Sequence, residues 1–179
     1  MFGMQGEGRE WPRTFSADSR GRFDYVFTDA LTFTDHKGRR TLLWIDDQVF
    51  VDIPHEEYMD LIVDKIVEVI ETEPIDVYVN PCFLPTVMEK DYDKLWTQPR
   101  IDRVVAALKK TGIALEINAY YGIPNFATIR AAKEAGVKFA FGTNNVSSDI
   151  GKLEYCLEAM EACGITADDM WFPSMKANR

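Results

Sequence analysis

The clearest signal along the chain is a repeated switch between two hydrophobic periods. From Ile113 to Asn145 it reads IALEINAYYGIPNFATIRAAKEAGVKFAFGTNN. Two short apolar runs flank a segment, Pro124 to Ala135, in which Phe126, Ile129, Ala132 and Lys133 recur at helical spacing. This predicts strand, helix, strand, with small polar residues where each strand ends. In parallel α/β folds ligands bind at the carboxyl ends of strands. Glu116, Asn118, Asn144 and Asn145 are therefore candidate site residues.

The same alternation runs upstream. Residues 1 to 11 hold a short strand followed by GEGREW, and Pro12 to Arg22 reads as a loop or short helix. Phe23 to Phe33 is apolar nearly throughout, which suits a strand buried on both faces. Residues 34–52 read as an inserted hairpin, turning at Lys37-Gly38, with TLLWI and QVFVD as its strands. A helix follows Ile53 and ends before Pro74, with Tyr58, Leu61, Ile62, Ile66, Val69 and Ile70 on its apolar face. Ile75 to Pro81 is a buried strand that stops at Asn80-Pro81, because proline cannot continue a central strand.

Beyond it lies a long loop containing a short helix. Its Phe83, Tyr92, Asp93 and Trp96 either close over a cleft or pack ordinarily. Arg100 to Lys110 is amphipathic, and Gly112 is placed to cap it. The final helix is expected over Asp149 to Cys163, with Leu153, Cys156, Leu157 and Met160 buried and Gly164 as its stop; DDMWFP then packs back on the body. Helices of suitable length between the core strands imply right-handed crossovers and a parallel sheet in one α/β domain.

Composition narrows the function. A net charge of −9 argues against a nucleic-acid partner, which would normally meet a basic face. Three cysteines without a CxxC read as reduced thiols, and so as a cytoplasmic protein. No apolar run is long enough to span a membrane, and the N-terminus lacks the layout of a secretory signal. The two histidines, His36 in a turn and His55 at a helix start, read as surface residues rather than ligands. Glu7, Arg9 and Glu10 put three charges within four residues, either as a polar turn or as a carboxylate offered at a strand end. Asp29, near the end of its apolar run, is either a turn former or a site residue. Each asparagine, taken singly, also suits an ordinary turn.

The order and spacing of the late strands resemble the PHP family, the polymerase and histidinol phosphatase domain. Its members have a distorted (β/α)₇ barrel with a metal cluster at the strand C-termini. The family's His-Pro, Glu-hydrophobic-Asn and Ser-Asp-Ala-His strand ends correspond to VYVNP (77–81), LEIN (115–118) and FGTNNV (141–146). The helix IRAAKEAGVKF looks like the one that leads into the family's last metal strand. Glu7 in QGEGREW matches a metal-binding glutamate, and FDYVFTDAL places Thr28 to Leu31 at the site.

The departures are as informative. Asn80, Asn144 and Val146 stand where the family has histidine, aspartate and histidine; a further histidine falls near Leu31, and the opening His-x-His is absent. The resemblance implies a metal-dependent phosphoesterase-type hydrolase with most ligands replaced. In that reading Glu7 and Asp29 hold a divalent metal (Mn, Zn or Mg) weakly or not at all. Glu116 and Asp29 are the catalytic candidates, and Arg9, Asn80, Asn118, Asn144 and Asn145 bind a small-molecule substrate. The alternatives are a non-catalytic PHP-like protein that binds a polar small molecule, and an inactive fragment of a longer hydrolase. The expected product is part of a TIM-like barrel lacking its first units, its open sheet edges covered by a second copy or by a missing N-terminal half.

Overall fold

The computed structural model describes residues 1–144, 146, 148 and 150–173. Its centre is a parallel sheet. In chain order the elements are β1 (Gly3–Gln5), α1 (Trp11–Thr14), α2 (Ala17–Arg20), β2 (Tyr25–Thr28), β3 (Thr32–Thr34), β4 (Arg40–Leu42), α3 (His55–Thr72) and β5 (Val77–Tyr78). Then come α4 (Tyr92–Leu95), α5 (Gln98–Thr111), β6 (Ala114–Asn118), α6 (Phe126–Glu134), β7 (Phe139–Gly142) and α7 (Glu154–Cys163).

The sheet runs β1-β2-β5-β6-β7, every pair parallel. Apart from the β3–β4 hairpin, strand order follows chain order. Successive right-handed crossovers in such a sheet put all their helices on one face. The contacts agree: α3 packs on α5, α5 on α6 and α6 on α7. Among the described residues the fold is thus an open parallel α/β arc of the TIM-like kind. At one edge Met170 forms an isolated parallel bridge with Phe139, and the Trp171 N–H donates to the Phe139 carbonyl at 2.7 Å.

Strand side chains alternate between two unequal faces. Met4, Val26, Tyr78, Leu115, Ile117 and Phe139 join the large core beneath the helices. Val77, Val79 and Ala114 point the other way, covered by Phe27, Ala140 and Trp171. In α3 the expected face is buried at Tyr58, Ile62, Ile66, Val69 and Ile70, joined by Met59 and Val63. Leu61 is only partly buried. Gly112 and Gly164 end α5 and α7 in left-handed backbone, as placed.

Three expectations change. The Phe23–Phe33 strand is two strands, because the Asp29 carboxylate bonds the Leu31 N–H at 3.0 Å and turns the chain out of the sheet. The hairpin is accordingly β3 with β4, spanning 32–42 rather than 34–52, and QVFVD is not a strand. Asp35 fixes its turn by accepting the Lys37 and Arg39 N–H groups at 2.8 Å each. The last helix starts at Glu154, and its buried residues include Ala159, while Leu157 is exposed. The Asp149 start lies outside the described residues.

Candidate functional site

The carboxyl ends of the sheet strands converge on one polar cluster. Glu116 and Asn118 share with Ala114 the face of β6 away from the helices. Both are buried, Glu116 at 7% and Asn118 at 0% exposure. In the β6–β7 register Asn118 stands opposite Gly142. A side chain at Gly142 would not fit, since its Cβ would lie 1.8 Å from Glu116 Oε1. The bare glycine is what lets the carboxylate lie across β7.

Asn80 would face the helices if β5 continued. Its positive φ of 48° breaks the alternation and turns it into the cluster. Asn144, two residues beyond Gly142, lies on the cluster side and also has a positive φ, 47°. Glu116 Oε2 accepts the Asn80 N–H at 2.6 Å and lies 3.1 Å from Asn118 Nδ2. The same Nδ2 lies 3.0 Å from Asn80 Oδ1 and 2.9 Å from Asn144 Oδ1. Asn80 Nδ2 donates to Asp29 Oδ2 at 3.1 Å, which joins the end of β2 to those of β5, β6 and β7. An amide nitrogen has two protons, so three acceptors around Asn118 Nδ2 leave the cluster rich in acceptors.

Electrostatics point the same way. Burial raises the Glu116 carboxyl above its usual range, against the Asn80 and Asn118 hydrogen bonds, and the charge on Asp29 raises it further. Burial also raises Asp29, opposed by the Leu31 N–H, Asn80 and Arg9, while Glu7 adds to the rise.

Two adjoining cavities open here, sharing Gln5 and Asn80. One of about 470 Å³ is lined by Glu116, Gly142, Thr143, Asn144 and Val146 among others. The other, about 280 Å³, is lined by Glu7, Gly8, Asp29, Leu31, Thr32, Trp44 and Tyr121. Of the sequence candidates, Glu7, Asp29, Asn80, Glu116, Asn118 and Asn144 share this strand-end region. Asn145 lies outside the described residues.

Arg9 is turned elsewhere. Its guanidinium pairs with Glu73 at 2.8 Å and donates to the Asp29 carbonyl at 2.5 Å. Glu73 also accepts the Trp11 indole N–H at 2.6 Å, so the segment after β1 is pinned to the end of α3. Trp96 packs inside and donates to the Cys82 carbonyl, so it forms no lid. Sequence reasoning passed over Gln5, Trp44 and Tyr121. Paired exposed tyrosines directly after a strand end, in NAYYG, were the available signal.

The donor set does not suit a histidine-rich metal cluster. Among the described residues no three His, Cys, Asp or Glu side chains come together so as to hold a metal ion. His36 pairs with Asp52 at 3.2 Å beside the hairpin, and His55 begins α3.

No protein-family model matches the chain, and no curated protein does. Its structure is similar to that of histidinol phosphate phosphatase from Lactococcus lactis, solved with zinc, L-histidinol and phosphate. The TM-score is 0.65 at 13% identity, over 92% of this chain and 65% of that one. The chain therefore spans just under two thirds of the length of that enzyme. At this identity the likeness establishes the fold, which is PHP-like. Among the described residues no helix is long and apolar enough to cross a membrane.

Proposed function

We propose that the strand-end cleft binds a polar small molecule rich in hydrogen-bond donors, on a PHP-like hydrolase scaffold whose histidine-rich metal chemistry has been lost from these positions. The observation that carries this reading is the buried Glu116–Asn118–Asn80–Asn144 network joined to Asp29. Its spare capacity is to accept hydrogen bonds, and its charged members are carboxylates. A free phosphate would meet like charge there, because Arg9 is committed to Glu73.

A second reading, a weakened phosphoesterase-type hydrolase, is favoured by one observation: Glu7 and Asp29 line the same cavity. Two carboxylates there would be the ligands of a single Mn, Zn or Mg ion, and Glu116 would orient water or substrate. One protein preparation separates the two readings. Chelator-treated protein is titrated with polyols and amines, then reloaded with manganese or zinc and assayed on p-nitrophenyl phosphate. Ligand binding without metal, abolished by Asn80→Ala, supports the binding reading. Stoichiometric metal retention with hydrolysis that Asp29→Asn removes would replace it by the hydrolase reading.

A further inference from the structure

The cavity on the Glu7 side of the cleft combines carboxylates with exposed aromatic rings. Trp44, just after β4, is 45% exposed, and Tyr121, just after β6, is 38% exposed. Both line the cavity that holds Glu7 and Asp29. Tyr121 is held by edge contacts from Phe83 and Tyr120, with ring centroids 5.0 and 4.9 Å away. Its backbone N–H donates to Asn118 Oδ1 at 3.1 Å, which ties it to the buried network.

In the adjoining cavity Glu116 is more than nine-tenths buried. Only its Oε2 is engaged; Oε1 has no hydrogen-bond donor among the described residues. Three carboxylates thus face the joined cavities, and no lysine or arginine lines either one. Arg9 is tied to Glu73, and the Arg40 guanidinium approaches Gly8 at the rim.

We infer that the ligand of this cleft is an organic cation carrying a protonated primary amine, its ammonium set against Asp29 and Glu7 and its apolar part lying on Trp44 and Tyr121, with the buried Glu116 adding negative charge from the adjoining cavity. A neutral polyol would fill the acceptors but leave the charge uncompensated. An ammonium supplies three donors and the missing positive charge, and aromatic faces attract cations. This rests on the binding reading above and narrows it to a ligand class.

The test is calorimetric titration of the full chain, stripped of metal, with benzylamine, benzyl alcohol and sorbitol. The first two share shape and differ in charge. Benzylamine is expected to bind roughly tenfold or more tightly than benzyl alcohol. Asp29→Asn should bring the two within about threefold of one another, and Trp44→Ala should weaken both aromatic probes. Glu7→Gln is a second charge variant, on an exposed residue, in case Asp29→Asn unfolds the turn it bonds. Equal binding of amine and alcohol, or a preference unchanged in the charge variants, overturns the inference. Sorbitol binding that Asn80→Ala abolishes, without amine preference, would overturn it while leaving the binding reading intact. No binding by any probe would defeat both.

Discussion

The two faces of the sheet are built differently. Beneath the helices, Leu115, Ile117 and Phe139 are fully buried in a core that runs from Met4 to Ile165. On the other face, among the described residues, Val77, Val79 and Ala114 are covered by a few partly exposed residues, Trp171 among them. Trp171 meets Tyr25 edge-on at 5.7 Å between ring centroids. The polar cleft belongs to this second face, at its carboxyl end. The first face carries the apolar burial that stabilises the fold, and the second is left to present polar groups, including buried carboxylates that stability alone would not select.

Truncation is the strongest way to break that division. Leu115→Ala, fully buried beneath the helices, should cost about 3–5 kcal/mol in urea denaturation. Val79→Ala, on the thin face, should cost no more than about 1–2 kcal/mol. Equal losses would mean that the two faces carry comparable cores. Next in size is Asn118→Ala. It removes the donor shared by Asn80, Glu116 and Asn144 and the acceptor for the Tyr121 N–H, at an expected ~2–3 kcal/mol. A loss near zero would show that the network is not formed in solution.

The smallest effect sharpens the point about charge. Glu116 has its carboxyl raised by burial, so the folded state holds that proton more tightly than the unfolded chain does. Its contribution to stability is therefore fully present below the unfolded carboxyl pKa and is lost as pH rises through the folded value. Glu116→Gln stays neutral throughout. It should raise Tm by about 2–4 °C at pH 7.5, with the gain shrinking toward pH 4.5. A gain that grows on acidification would reverse the assigned direction.

Much of the fold was legible in the sequence, because helix period, glycine stops and apolar strands are local signals. Gly112, Gly164 and the apolar stripe of α3 all lie where the periodicity put them. The break between β2 and β3 was not legible. It depends on one side-chain bond, from Asp29 to the Leu31 N–H, inside an apolar run. The cleft was half legible. Strand-end position singled out Glu116, Asn80, Asn118 and Asn144, but the inward turn of Asn80 depends on a positive φ that no residue pattern announces. The Arg9–Glu73 pair was not legible either, because the two residues lie 64 positions apart. Trp44 and Tyr121 became neighbours of Asp29 only once the hairpin and the β6 exit were placed in space.

The central claim is that the strand-end cleft binds a donor-rich small molecule without a metal. Side-chain amide and indole signals in a nitrogen-15 correlation spectrum test it most directly, on chelator-treated protein titrated with benzylamine. The expected result is saturable shifts of the Asn80, Asn118 and Asn144 side-chain amides and the Trp44 indole, with the Trp171 indole on the thin face unmoved. Signals that stay still until manganese or zinc is restored, or shifts confined to Trp171, would contradict it.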